Sequence, residues 1–144
     1  MTRGRMRQHT VMPPAVRSRA VVLGLLVATV VLGLASRGYP QAFPRIVATY
    51  AGDVLWTTAA YWCLAFARTA WPPARLAVLA LGGSVLVELS QLVHAPWLDA
   101  IRGNPFGALV LGQGFLWSDL ACYVVGAGLA ALVDRVVMGV GRHG

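Results

Sequence analysis

The chain contains no lysine, and charged residues make up only 12% of its 144 positions. A soluble domain carries about 25% charged residues, so this shortage argues against a water-exposed globule. There are two cysteines, Cys63 and Cys122, both inside apolar runs and without a CxxC spacing. That excludes a thiolate metal site, a redox motif and a disulfide framework. Placed at different depths of a membrane, the two cannot meet the roughly 7 Å Cα separation a bridge needs. No HExxH helix, nucleophile–base signature or phosphate-cradling glycine loop is present, so no catalytic residue, metal or cofactor is assigned.

What is present is apolar: 58% hydrophobic residues and a mean hydropathy of +0.67. The net charge of +7 rests on twelve arginines. Arg3, Arg5, Arg7, Arg17 and Arg19 precede the first apolar run. Without aromatic–basic interleaving or a recognition fold, such an arm points to cytoplasmic retention and anionic lipid rather than to nucleic acid.

Four apolar segments predict an all-α, polytopic membrane protein with spans near 20–36, 46–67, 76–93 and 116–133. The first also has the outline of a secretory signal peptide, with Gly33-Leu34-Ala35 as a cleavage-like site. Residues 1–19 form a basic arm, 20–138 the membrane domain and 139–144 a tail. Residues 106–115, FGALVLGQGF, reach about 15 Å as a helix, too short to cross, and are read as interfacial or re-entrant. With the N-terminus inside, nine arginines fall on the cytoplasmic side and Arg37, Arg45 and Arg102 outside. That is the positive-inside bias of a multi-pass protein of the cell membrane with both termini cytoplasmic.

The same topology gathers Asp53, Glu88, Asp99 and Asp119 toward the outer face, with Gln91 and Arg102 beside them. Carboxylates near hydrocarbon cost about 2.5–3.5 kcal/mol each at a helix centre, which makes them candidate functional groups. Ser84, Glu88 and Gln91 follow an i, i+4, i+7 pattern on one helix face, extended by His94, while Asp53, Trp56 and Thr57 share another. Structural roles compete with function for each of them. Glu88 and Gln91 can bond Asp53, Asp119 or Arg102 as interhelical links. Asp119 can cap its helix, and Asp99–Arg102 can be a surface ion pair. His94 and the tryptophans suit the interface, with Trp62 placed deeper.

The runs Gly52-Asp53-Val54-Leu55-Trp56, Glu88-Leu89-Ser90-Gln91, Ala95–Arg102 and Gly112–Leu120 together resemble a family of small bacterial membrane proteins of unknown function. The resemblance covers about residues 20–133 and extends distantly to VanZ-like proteins, named for a member linked to teicoplanin resistance. It implies a helical membrane fold. It also implies that Asp53, Glu88 and Gln91, Arg102, Asp119 and Gly126 match the VanZ-like pattern of Asp, Glu-x-x-Gln, Arg and a final Asp-x-x-x-Asn-x-x-Gly. Three positions depart: Val54 and Trp56 stand where that pattern has Lys and His, and Tyr123 where it has Asn.

The expected function is binding of an amphiphile, a lipid-linked envelope intermediate or a lipophilic antibiotic, at an outward-facing polar cluster. That cluster comprises Asp53, Glu88, Gln91, Asp99, Arg102, Asp119 and Tyr123. Two alternatives compete with it. One is an assembly partner or oligomeric transporter, forming homo-oligomers or joining a membrane partner. The other is a lipid-headgroup enzyme using paired carboxylates.

Overall fold

Proline stands at or just before the start of most elements after the first. The computed structural model describes residues 16–112 and 114–140. Helix α1 (Arg19–Gly38) leads through a 3₁₀ turn (Pro40–Ala42) into α2 (Arg45–Ala67). Helices α3 (Pro73–Ser90), α4 (Pro96–Arg102), α5 (Pro105–Leu111) and α6 (Trp117–Val140) follow. Proline opens α3, α4 and α5, where its missing N–H is no loss and its fixed φ suits the first turn. Asn104 caps α5 by accepting from the Phe106 amide at 2.9 Å. Gly112, at φ 67°, ends that helix in a conformation that side chains with a Cβ resist.

Arg3, Arg5, Arg7, Arg142 and Gln113, with their parts of the predicted arm, tail and interfacial piece, lie outside the described residues. Three differences from the sequence reading stand out. The predicted polar connection between Pro96 and Pro105 contains a helix, α4. The third long helix ends at Ser90, so Gln91 is its cap and His94 does not continue its face. The 106–115 piece is helical only as far as Leu111.

Among the described residues all regular structure is helical, and three helices are long and apolar enough to cross a membrane: Arg19–Gly38, Pro73–Ser90 and Trp117–Gly139. Their outward faces are unpartnered valine and leucine, for example Val31, Val78 and Leu132. Exposed apolar surface on that scale belongs in lipid. The protein is therefore a membrane protein. Helix α2 has 23 residues, about 34 Å of helix at 1.5 Å per residue. It is more polar than the other three because Asp53, Thr57, Thr58 and Tyr61 lie along it. Those groups have neighbours to meet, since α2 is central, packing against α1, α3 and α6.

Small residues allow the close approach. A Cβ at Gly126 would stand 2.3 Å from the Val54 carbonyl oxygen, so only glycine lets α6 reach α2 there. Thr58 uses that proximity, donating to the Val54 carbonyl at 2.9 Å and the Gly126 carbonyl at 3.1 Å. Ala127 and Ala130 are buried with it, whereas Gly128 meets nothing and faces outward. The core proper is Val22, Tyr61, Trp62, Ala65, Leu76, Ala80 and Ala130, so Trp62 is enclosed by protein rather than facing outward. Val22 makes α1 part of that core, integrated along α2 rather than detached from it.

Candidate functional site

The two ends of the bundle carry different chemistry, and the alternation of helix directions separates them. At the end where α1 finishes and α2 begins, a cleft of about 450 Å³ opens between α2, α3, α5 and α6. Its polar walls are Arg37, Asp53, Glu88, Gln91, Asp119 and Tyr123. Five of the seven predicted site residues thus meet in one place. Asp99 and Arg102 do not join them. They line a second cleft of about 310 Å³ with His94 and Gly103, and Gln91 lies between the two.

Glu88 anchors the first cleft. It is fully buried and accepts from the Tyr123 hydroxyl at 2.7 Å, the Leu116 amide at 2.8 Å and Gln91 Nε2 at 3.3 Å. The partners expected for it, Asp53, Asp119 or Arg102, are not the ones it takes. Its acceptors are spent on the start of α6 and on the chain leading into it, which joins α3 to α6 across the cleft floor. Below it, Thr57 donates to Ser84 at 2.9 Å, so the predicted face of α3 turns inward as far as Glu88.

Gln91 connects α3 to α5. Its Nε2 also donates to the Leu111 carbonyl at 2.9 Å, and this contact requires Gly112, where a Cβ would lie 2.3 Å from that nitrogen. Because Nε2 faces two acceptors, Oε1 is fixed on the other side. There it is buried and has no hydrogen-bond partner among the described residues. Asp53 is half-buried and meets Arg37 Nη2 at 3.3 Å. In the sequence Arg37 stands out only as the charge that ends the first segment. Its place at the last turn of α1, next to the first turns of α2, is the signal that points to this contact.

Asp119 lies in the first turn of α6 and accepts from Ser118 Oγ at 3.1 Å. It does not cap the helix, which begins at Trp117, before it. Arg102 is likewise not a surface residue. Buried to 7% exposure, it donates to the Val93 carbonyl at 2.9 Å and the Ser90 carbonyl at 2.5 Å, closing the carbonyl end of α3. Its contact with half-exposed Asp99 is longer, 3.3 Å. Exposed His94 stands 3.7 Å from the same carboxylate. Among the described residues no group of three or more His, Cys, Asp or Glu side chains is placed to hold a metal ion.

Beside the polar cleft runs an apolar groove of about 160 Å³ between α1, α2 and α5. Cleft and groove share Arg37, Trp56, Leu109 and Val110, so a charged chamber opens sideways onto an apolar slot.

The opposite end holds a network that sequence reasoning missed. Arg17 donates to both carboxylate oxygens of Asp134, from Nε at 2.7 and 2.9 Å and from Nη2 at 2.6 Å. Its Nη1 donates to the Thr69 and Trp71 carbonyls, at 2.8 and 2.6 Å. Tyr61 donates to Asp134 as well. Burial works against the charge on Arg17, but Asp134 outweighs it and holds the guanidinium above its ordinary pKa. The residue expected to meet headgroups in a basic arm is instead a buried tie between the chain entering α1, the α2–α3 turn and α6. Around it Arg68 and Arg75 stack on Trp71.

No solved structure matches this chain. Residues 42–127, from the 3₁₀ turn through the Gly126 contact and thus including every cleft wall except α1, match the model of a family described as a protein of unknown function, DUF2809, and the chain belongs to that family.

Proposed function

We propose that this multi-pass membrane protein binds an amphiphile, with the polar head in the Asp53–Glu88–Asp119 cleft and the tail in the groove beside it. The observation that carries the reading is the shared wall. Arg37, Trp56, Leu109 and Val110 border both a charged chamber and an apolar slot, and an amphiphile is the ligand that has both surfaces. Binding sites generally pair apolar walls with a few fixed polar groups.

On this reading α1, α2, α3 and α6 all cross the bilayer, α2 included despite its polar residues, because those residues face partners rather than lipid. The cleft faces outward. Among the described residues Arg17, Arg19, Arg68, Arg75 and Arg135 belong to the end away from the cleft, and Arg37, Arg45 and Arg102 to the cleft end. The positive-inside bias then puts the first end in the cytoplasm. Both termini follow it there, and the cleft meets the outer leaflet of the cell membrane.

Native mass spectrometry of the protein released from its own membranes tests the reading. Wild type should carry a bound mass that Val30→Trp loses, since Val30 is an exposed groove residue whose enlargement fills the slot. Retention of the same mass by a folded Val30→Trp variant would defeat the proposal.

A further inference from the structure

The end of the bundle away from the cleft has no acid to spare. Of the five acidic residues in the chain, Asp53, Glu88 and Asp119 line the first cleft and Asp99 the second. Asp134 alone belongs to the other end. It is 1% exposed, and its carboxylate is taken up by Arg17 and Tyr61. Around that buried tie Arg19, Arg68, Arg75 and Arg135 are all exposed, and none forms an ion pair among the described residues. The sequence holds no further acid to offer them, so their counter-charge comes from outside the chain.

Two of these arginines are held in place. The guanidinium carbons of Arg75 and Arg68 lie 4.0 and 5.5 Å from the centroid of the Trp71 ring, and that of Arg19 lies 5.8 Å from Phe66. Stackings of this kind occur about once per 70–80 residues, so three at one end are a concentration. A ring takes the flat face of a guanidinium and leaves its N–H edge open. Arg68 spends one donor on the Ala67 carbonyl at 3.4 Å, and Arg75 spends none among the described residues. Hydrocarbon-facing surface starts directly beside them. Val78 and Leu79, three and four positions after Arg75 and so on its side of α3, are 70% and 43% exposed on a helix long enough to cross a membrane.

We infer that Arg68, Trp71 and Arg75 form a headgroup site for an anionic phospholipid, with its phosphate between the two guanidinium forks and its acyl chains along Val78 and Leu79. Planar guanidinium groups bind phosphate in pairs of parallel hydrogen bonds. The site lies apart from the cleft and groove and does not rest on the amphiphile reading above. A zwitterionic lipid has the same phosphate, but its own ammonium offsets the charge that the arginines lack. A free phosphate has the charge without the chains.

The test is lipid binding to the delipidated full chain in neutral detergent, read by native mass spectrometry. It compares phosphoglycerol and phosphocholine lipids with identical acyl chains. The phosphoglycerol lipid should bind about tenfold tighter, and should keep that advantage in Val30→Trp, whose enlarged side chain fills the groove. Arg68→Gln/Arg75→Gln should bring the ratio toward one. Arg68→Lys/Arg75→Lys keeps the charge without the planar fork, and should lose most of the advantage too. Arg45→Gln, at an exposed arginine of the cleft end, should leave it in place. All three arginines are exposed, so these variants should unfold at the wild-type temperature. A full advantage in the lysine pair, or an equal loss in Arg45→Gln, would show attraction by overall charge and overturn the site. Equal binding of the two lipids by wild type would overturn it as well. Loss of the advantage in Val30→Trp would assign the preference to the groove instead, and displacement of the lipid by an equal concentration of inorganic phosphate would assign the site to a free anion.

Discussion

The substitutions Glu88→Gln and Tyr123→Phe, made singly and together, measure the link that holds the cleft floor. Glu88 is fully buried, and its Oε2 receives the Tyr123 hydroxyl at 2.7 Å. Tyr123→Phe removes one donor and leaves the carboxylate its Leu116 and Gln91 contacts. Glu88→Gln keeps one oxygen for the Leu116 amide but sets an NH₂ group where Oε2 stood. That group faces the Tyr123 hydroxyl, which can turn and accept, and Gln91 Nε2, which cannot. A hydrogen bond to a charged group contributes about 1.5–3 kcal/mol in water-soluble proteins. Measured links between membrane helices average about 0.6 kcal/mol and reach about 1.7, because the unfolded chain in the bilayer also finds partners. A fully buried carboxylate with a short contact belongs at the upper end, so the coupling between the two substitutions should be about 1–2 kcal/mol. The assay is reversible unfolding in mixed micelles, followed by tryptophan fluorescence, across the four-protein cycle. Additivity within about 0.5 kcal/mol, the range of independent sites, would show that Glu88 and Tyr123 are not coupled. It would refute the account of α3 joined to α6.

Two further outcomes follow from the ends of the bundle. Asp134→Ala should destabilise the protein by about 3–5 kcal/mol, the usual cost of orphaning one partner of a buried ion pair. The Arg17→Met/Asp134→Leu double variant should recover most of that, and a double variant no better than Asp134→Ala in the same unfolding assay would show that the pair is not the cause. For orientation, a cysteine at exposed Ser118, with Cys63 and Cys122 replaced by alanine, should react with an impermeant thiol reagent on intact cells, and one at Arg135 only after lysis. The reverse pattern would invert the topology and place the cleft in the cytoplasm.

Much of this molecule is legible in the sequence because lipid enforces simple rules. Apolar runs bounded by arginine mark the long helices, and the i, i+4, i+7 spacing of Ser84, Glu88 and Gln91 marks a polar face that the structure does turn inward. Asp53, Asp119 and Tyr123 converge with that face because alternating helices bring the same end together. Illegible are contacts that depend on how chain outside the helices folds back. Arg102 reaches the Ser90 carbonyl at the end of α3 and the Val93 carbonyl just beyond it because residues 96–102 coil into a helix, which a stretch between two prolines does not advertise. Arg17 and Asp134 lie 117 positions apart, and no local period links them. One hint exists: Asp134 is the only acid at an end crowded with arginine, and a buried lone acid there needs a cation.

Helix α1 is fastened unequally. Near its start, the tie from Arg17 to Asp134 is sealed from solvent, with side chains 3% and 2% exposed. At its far end Arg37 meets Asp53 with both partners open to water, at 43% and 26%. Exposed pairs of that kind contribute about 0–1 kcal/mol. Between these fastenings α1 lies along α2 and forms one side of the apolar groove. In mechanical terms it is a door with a stiff hinge at the arginine-rich end and a weak latch at the cleft end. The latch, Arg37, borders both groove and cleft, so a head that engages it would loosen the wall beside its own tail. If an amphiphile binds as proposed, the slot would widen from the cleft end for tails of different girth without disturbing the core around Tyr61 and Trp62.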